Sequence, residues 1–287
     1  MGDFAVDRAL GAGFSVIRRR PAVLLAWGLA YFLFGLLPPS LFWMRMWPAM
    51  VAQSAVRPGD PQAMMAAMSG LSAWAPVLWL LALILMSVMY GAVFRAVLQP
   101  QDRAFFYLRL SGRELWLGLT TLALLVVFGL GAVVLSVIVG VIAHTAPWYV
   151  TLIAVIACLV GMIWLILRLS LSMPMAFAEH RFVFAQSWRL TEGLALKLFG
   201  MALCLILIVI VAELVILAPV MLTFGLTGGL ARLAEEPGRA AAAAAPWLIV
   251  AAVVFSFFGA LVYAILGAPW ASVYQQVTEG AEPLALD

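Results

Sequence analysis

Glu213 stands inside a long apolar stretch, residues 198 to 226, where an ionisable carboxyl is chemically conspicuous. At the centre of a membrane span an acid costs about 2.5–3.5 kcal/mol on insertion scales, so it is expected to face the bundle interior or to be protonated. One reading is a proton or cation site. The other is a neutral, hydrogen-bonded structural glutamate, with Ser136, Tyr31 or a water as neighbour, since Arg168 falls well inward of its depth.

Arg95 and Arg168 are the second group, each a few residues before a proline and close to the end of an apolar stretch. Together with Arg109, Arg113 or Arg189 they have the fork geometry that binds a lipid phosphate bidentately. Snorkelling, or pairing with Glu114 and Glu192, is the competing expectation. Met44, Met46, Met50, Met64, Met65 and Met68 cluster between the first two apolar stretches, and thioethers ligate Cu(I). Methionine also fills apolar gaps, and no Cys or His accompanies them, so no metal is expected. His144 and His180 stand apart, and Cys158 and Cys204 fall inside apolar stretches as small packing residues. No nucleophile motif, phosphate loop, dinucleotide fingerprint or paired metal ligand occurs, so no cofactor and no catalytic residue is assigned. A formal charge of +3 is too small to argue for nucleic acid.

These residues are carried by elements whose nature follows from composition. With 66% hydrophobic and 10% charged residues, a soluble domain would have nothing to coat its surface. Stretches 22–44, 75–98, 115–143, 148–173, 198–226 and 246–271 are each long enough to cross a hydrocarbon layer of ~30 Å. They lack the alternation of a barrel strand, and a spanning segment must satisfy its own backbone, so the fold is all-α with six transmembrane helices. The first stretch has no Ala-x-Ala site and is too long for a signal core, so it is expected to stay as an uncleaved span.

Basic residues segregate between the connections. Twelve of them, Arg8, Arg18, Arg19, Arg20, Arg95, Arg103, Arg109, Arg113, Arg168, Arg181, Arg189 and Lys197, belong to one side, and Arg45, Arg57, Arg232 and Arg239 to the other. By the positive-inside rule the first side is cytoplasmic and holds both termini. On that side residues 3–20, 103–115 and 179–197 are expected to form interfacial amphipathic helices, anchored by aromatics such as Phe105, Phe184 and Trp188. Arg189 and Glu192 are spaced for a pair on the third. The chain then divides into three modules, each an interfacial helix followed by two spans. Residues Ala252, Ser256, Ala260, Ala264 and Ala268 recur every fourth position in the last span, and Ala132, Ser136 and Gly140 do so in the third. Both stripes are expected at helix–helix contacts, within the bundle or between protomers. Ala240 to Ala245 predicts a short outer helix ending before Pro246.

The run Arg168-Leu-Ser-Leu-Ser-Met-Pro174, followed by Glu179 and by Ala185-Gln-Ser-Trp-Arg-Leu-Thr-Glu-Gly193, resembles the bacterial inner-membrane family that includes YciC. That family also includes the membrane domain fused to some glycerophosphodiester phosphodiesterases. The motif covers residues 168 to about 200, and the six-span layout extends the likeness to the whole chain. The resemblance implies an inner-membrane location and a fold, with phosphodiesterase chemistry belonging to a separate catalytic domain. Three expectations of function follow. The first is a non-enzymatic scaffold or anionic-lipid-binding protein, partnered by membrane lipids and by either a membrane protein or a second copy. The second is a small proton- or ion-coupled transporter using Glu213, and the third a membrane enzyme of lipid metabolism.

Overall fold

A computed structural model of the chain describes residues 4–42, 44, 61–102, 104–226 and 237–279. The described residues are almost entirely helical and contain no strand. Six helices are long and apolar enough to cross a membrane: Pro21–Phe42, Trp74–Leu98, Phe105–Thr145, Trp148–Glu179, Ala195–Ile216 and Ala251–Glu279. Each of them overlaps one of the six apolar stretches, with ends that differ by up to ten residues.

Helix α1 (Val6–Arg19) stops at Arg20, whose backbone leaves the helical region before the proline that follows it. Pro21 then opens α2 (Pro21–Tyr31), where its missing N–H costs nothing, and one π turn over Phe32–Leu36 carries the chain on to Phe42. Helix α3 (Pro61–Leu98) leads to a loop, and α4 (Gly112–Thr145) and α5 (Trp148–Leu169) form a hairpin closed by Pro147. Two short helices follow, α6 (Ser172–Glu179) and α7 (Phe184–Leu190), then α8 (Ala195–Leu226) and α9 (Pro237–Glu279). Residues 240–245 are therefore the start of α9 rather than a separate helix. Met46 and Met50, with the side chains of Met64, Met65 and Met68, lie outside the described residues.

Helix α9 is the post on which the others lean. Ser256, Ala260, Ala264, Ala268 and Ala271 are all buried, so the small-residue stripe is an internal contact that lets neighbouring backbones come close. Two hydrophobic clusters meet on it, one shared with α2 and α3 and the other with α1, α5, α6 and α8. Along α1, Ala5 N–H donates to Gln276 Oε1 at 2.9 Å, while eight residues on Gly13 lies against Ala264 and Ile265. Helix α1 thus runs antiparallel to the end of α9, with Ala9 and Gly13 buried and Asp7, Arg8, Arg18 and Arg19 outward.

The hairpin α4–α5 is held only at one end. Its buried residues are Glu114, Leu117, Thr120 and Thr121 in the first turns of α4, and Leu167 and Leu169 at the close of α5. Ala132 and Ser136 of the second small-residue stripe are exposed, and Gly140 is half-buried.

Of the three expected short amphipathic helices, the second is replaced by a turn and the third is shortened to Phe184–Leu190. Residues 104–107 form a tight turn with Phe105, Phe106 and Tyr107 all left-handed (φ 50, 55 and 70°), and α4 starts only at Gly112. The cause is tertiary: Trp27 Nε1 donates to Phe106 O at 2.9 Å, and Arg95 Nη1 donates to Tyr107 O at 2.5 Å. These two bonds tie the turn to α2 and to the end of α3. Segment 179–197 is likewise broken, by left-handed His180 at the end of α6 (φ 55°) and by Gly193 (φ 77°) before α8. Left-handed Gly193 carries no Cβ penalty. Among the described residues Arg189 forms no ion pair with Glu192.

Candidate functional site at the basic end

Loop 99–111, the α6–α7 segment, α1 and the end of α9 gather at one end of the bundle, and there the two similar arginines part company. Arg95 is 2% exposed and Glu114 1% exposed, and the two form an ion pair through Arg95 Nη2 and Glu114 Oε1. Asp102 Oδ2 lies 3.8 Å from Arg95 Nε and accepts from Arg109 Nη1 at 3.0 Å. Phe177 covers the group, its ring centroid 5.5 Å from Arg95 Cζ and 5.6 Å from Arg113 Cζ. Arg95 is fully occupied and buried, so it is no ligand for a lipid phosphate, and Arg109 spends its charge on Asp102.

Glu114 works at two places at once. Its Oε2 accepts from Ser111 N at 2.9 Å and from Ser111 Oγ at 2.5 Å, closing a capping box at the start of α4, while Oε1 faces Arg95. Seating an acid in the first turn also suits the helix dipole. The Ser111-x-x-Glu114 spacing before an apolar run was the available signal for this cap, and it went unused in the sequence reading.

Arg168 has a different setting. Its Cζ lies 5.3 Å from the ring centroid of Trp164 and 5.4 Å from that of Trp188, and the two indoles meet edge to face at 4.9 Å and 90°. Nη1 donates to Trp188 O at 3.3 Å, and Nε is buried without a partner. Ser187 Oγ and Thr191 Oγ1 donate to Arg168 O at 3.0 and 3.1 Å, which ties α7 to the last turn of α5. Among the described residues no carboxylate comes within ion-pair distance of Arg168. Arg189, next to Trp188, is exposed. Trp164 was missed from sequence, although it stands one helical turn before Arg168 and so on its face.

The remaining candidates are placed separately. Phe105 is 79% exposed at the tip of the left-handed turn. Phe184 is half-buried and stacks on Phe182, whose ring also meets Trp116. Arg113 has Nη1 buried and without a partner. Glu213, expected to face the bundle interior or to be protonated, is exposed on α8. The candidate neighbours are engaged elsewhere: Ser136 Oγ donates to Val133 O, and the Tyr31 ring packs on Tyr263 at 5.9 Å. A cavity of about 440 Å³ does run along α8, and the described residues that line it are Leu207, Ile208, Val211, Ala212, Val215 and Ile216. Cys158 and Cys204 are free thiols, and no metal-ligand cluster occurs among the described residues.

The chain matches no family model, no curated protein and no solved structure.

Proposed function

We propose that this chain is a non-enzymatic bacterial inner-membrane protein that binds an anionic lipid through Arg168 at the cytoplasmic headgroup level. The observation that carries the reading is the unbalanced charge of Arg168 between two tryptophans. A guanidinium held by indole faces is oriented, and one without a carboxylate leaves its outward fork open to phosphate oxygens. Tryptophan is the residue that favours this depth of a membrane, where one edge is apolar and the other wet. Arg189 adds a second exposed cation beside it.

The same reading puts both termini and the short helices α1 and α7 at the cytoplasmic surface, in keeping with the bias of arginines. It retains the likeness to the YciC-type membrane family and an organisation in three pseudo-repeated modules as proposals of layout. A partner protein could use the same surface as a scaffold. The transporter reading draws little support from Glu213, because every described residue that lines the cavity on its helix is apolar and Glu213 is not among them.

Ligand linkage tests the assignment. A lipid that binds only the folded protein raises its unfolding temperature with concentration. Short-chain phosphatidylglycerol should raise the midpoint of the detergent-solubilised protein, and phosphatidylcholine should not. Arg168→Gln should abolish the difference between the two lipids; an undiminished phosphatidylglycerol shift in that variant would overturn the proposal.

A further inference from the structure

Another cavity, of about 240 Å³, opens where the ends of α3, α6 and α9 meet. The described residues that line it include Gln99, Phe177, Tyr274, Gln275, Thr278 and Glu279. Glu279 is the only charged group among the described residues of this lining, and it is exposed, at the rim. Arg95 and Arg113 lie over the Phe177 ring without lining the cavity, and Glu114 already neutralises Arg95. Glu179 lies near enough to Tyr274 to act on it electrostatically.

The polar groups that α9 contributes have spent their donors within the helix. Gln275 Nε2 donates to Glu279 Oε1 at 2.8 Å, and Thr278 Oγ1 donates its one proton to Tyr274 O and Gln275 O, at 2.8 and 3.0 Å. What remains on these side chains is mostly lone pairs: Glu279 Oε2, Gln275 Oε1 and the Thr278 oxygen. The side chains of Gln99 and Tyr274 make no hydrogen bond among the described residues, so each still accepts as well as donates. A ligand that satisfies such a set brings several N–H donors and a positive charge. We infer that this cavity binds a primary ammonium group, whose three N–H donors answer the surplus of acceptors beside a carboxylate. A quaternary ammonium has the charge but no donor, and leaves those acceptors unmet. The cavity lies at the end of the membrane-spanning helices, so the ammonium comes from the headgroup of an ethanolamine lipid or from a free amine in the water phase. The inference does not rest on Arg168, which takes no part in this lining.

Thermal unfolding of the detergent-solubilised full chain tests the assignment and separates the two sources. Short-chain phosphatidylethanolamine should raise the midpoint more than phosphatidylcholine; both carry the same phosphate, so the difference reports the N–H donors rather than Arg168. Ethanolamine, compared with tetramethylammonium at equal ionic strength, reads the free amine. A shift with the ethanolamine lipid alone identifies a lipid headgroup, and a shift with ethanolamine identifies a free amine. Glu279→Gln keeps the shape and removes the charge, and it should weaken the apparent affinity for the amine that binds by about tenfold or more. Glu279 is exposed, so the midpoint without ligand should stay where it is. Equal shifts with the methylated counterparts, no shift with either amine, or undiminished affinity in Glu279→Gln would each overturn the proposal.

Discussion

Glu114 answers two demands with one carboxyl: it caps α4 through Ser111 and neutralises Arg95 in a site closed to water. Removing it leaves a guanidinium buried without a counter-charge, which costs far more than the pair itself contributes. Glu114→Ala should therefore destabilise the protein by about 3–5 kcal/mol, measured by denaturant unfolding in detergent. Changing both partners, as Arg95→Met with Glu114→Leu, should recover much of that loss, less about 1 kcal/mol for the lost cap. A double variant no more stable than Glu114→Ala would contradict this account of the pair. Sequence alone presents Arg95 and Arg168 as equivalents. What separates them is the acid at the capping position on one side and the indole one turn away on the other. Both signals lie in the sequence, but the capping spacing takes on this meaning only when loop 99–111 folds back and brings Arg95 to Glu114.

Helix α9 shows how much of the element level follows from small residues. Its alanine stripe was legible because close helix approach in lipid requires such spacing, and the contacts with α1, α2 and α3 occur there. Gly13 of α1 is at the closest approach: a Cβ there would stand 3.0 Å from both Ala264 O and Ile265 Cα, which are backbone atoms. Gly13→Ala should cost about 1–3 kcal/mol by forcing α1 off α9. Gly11, two residues earlier, has nothing within 4 Å of its Cβ position, so Gly11→Ala should stabilise by about 0.5–1 kcal/mol through helix propensity. Thermal midpoints that moved in the same direction for both would contradict this packing. The left-handed turn at Phe105, Phe106 and Tyr107 was not legible, because no local pattern in those residues asks for it. It depends on Trp27, 79 residues away in sequence, and on Arg95.

At the scale of the whole molecule, the number of spanning helices was readable because membrane thickness sets a length and burial in lipid sets a composition. The direction each span faces was not, since an all-apolar helix carries no periodic signal of its own side. Hence Glu213, expected to face the interior or to be protonated, is exposed on α8, and Ala132 and Ser136 of α4 are exposed as well. Among the described residues burial concentrates at the basic end, where the charged and aromatic residues that separate Arg95 from Arg168 also lie. The central claim is that only Arg168, among the two similar arginines, is free to hold an anionic lipid. Native mass spectrometry of protein released from its membrane measures this most directly, by comparing wild type with Arg168→Gln and with Arg181→Gln, whose arginine is exposed and paired with Glu179. The account predicts an anionic lipid retained by wild type and by Arg181→Gln and lost from Arg168→Gln; equal retention in all three would contradict it.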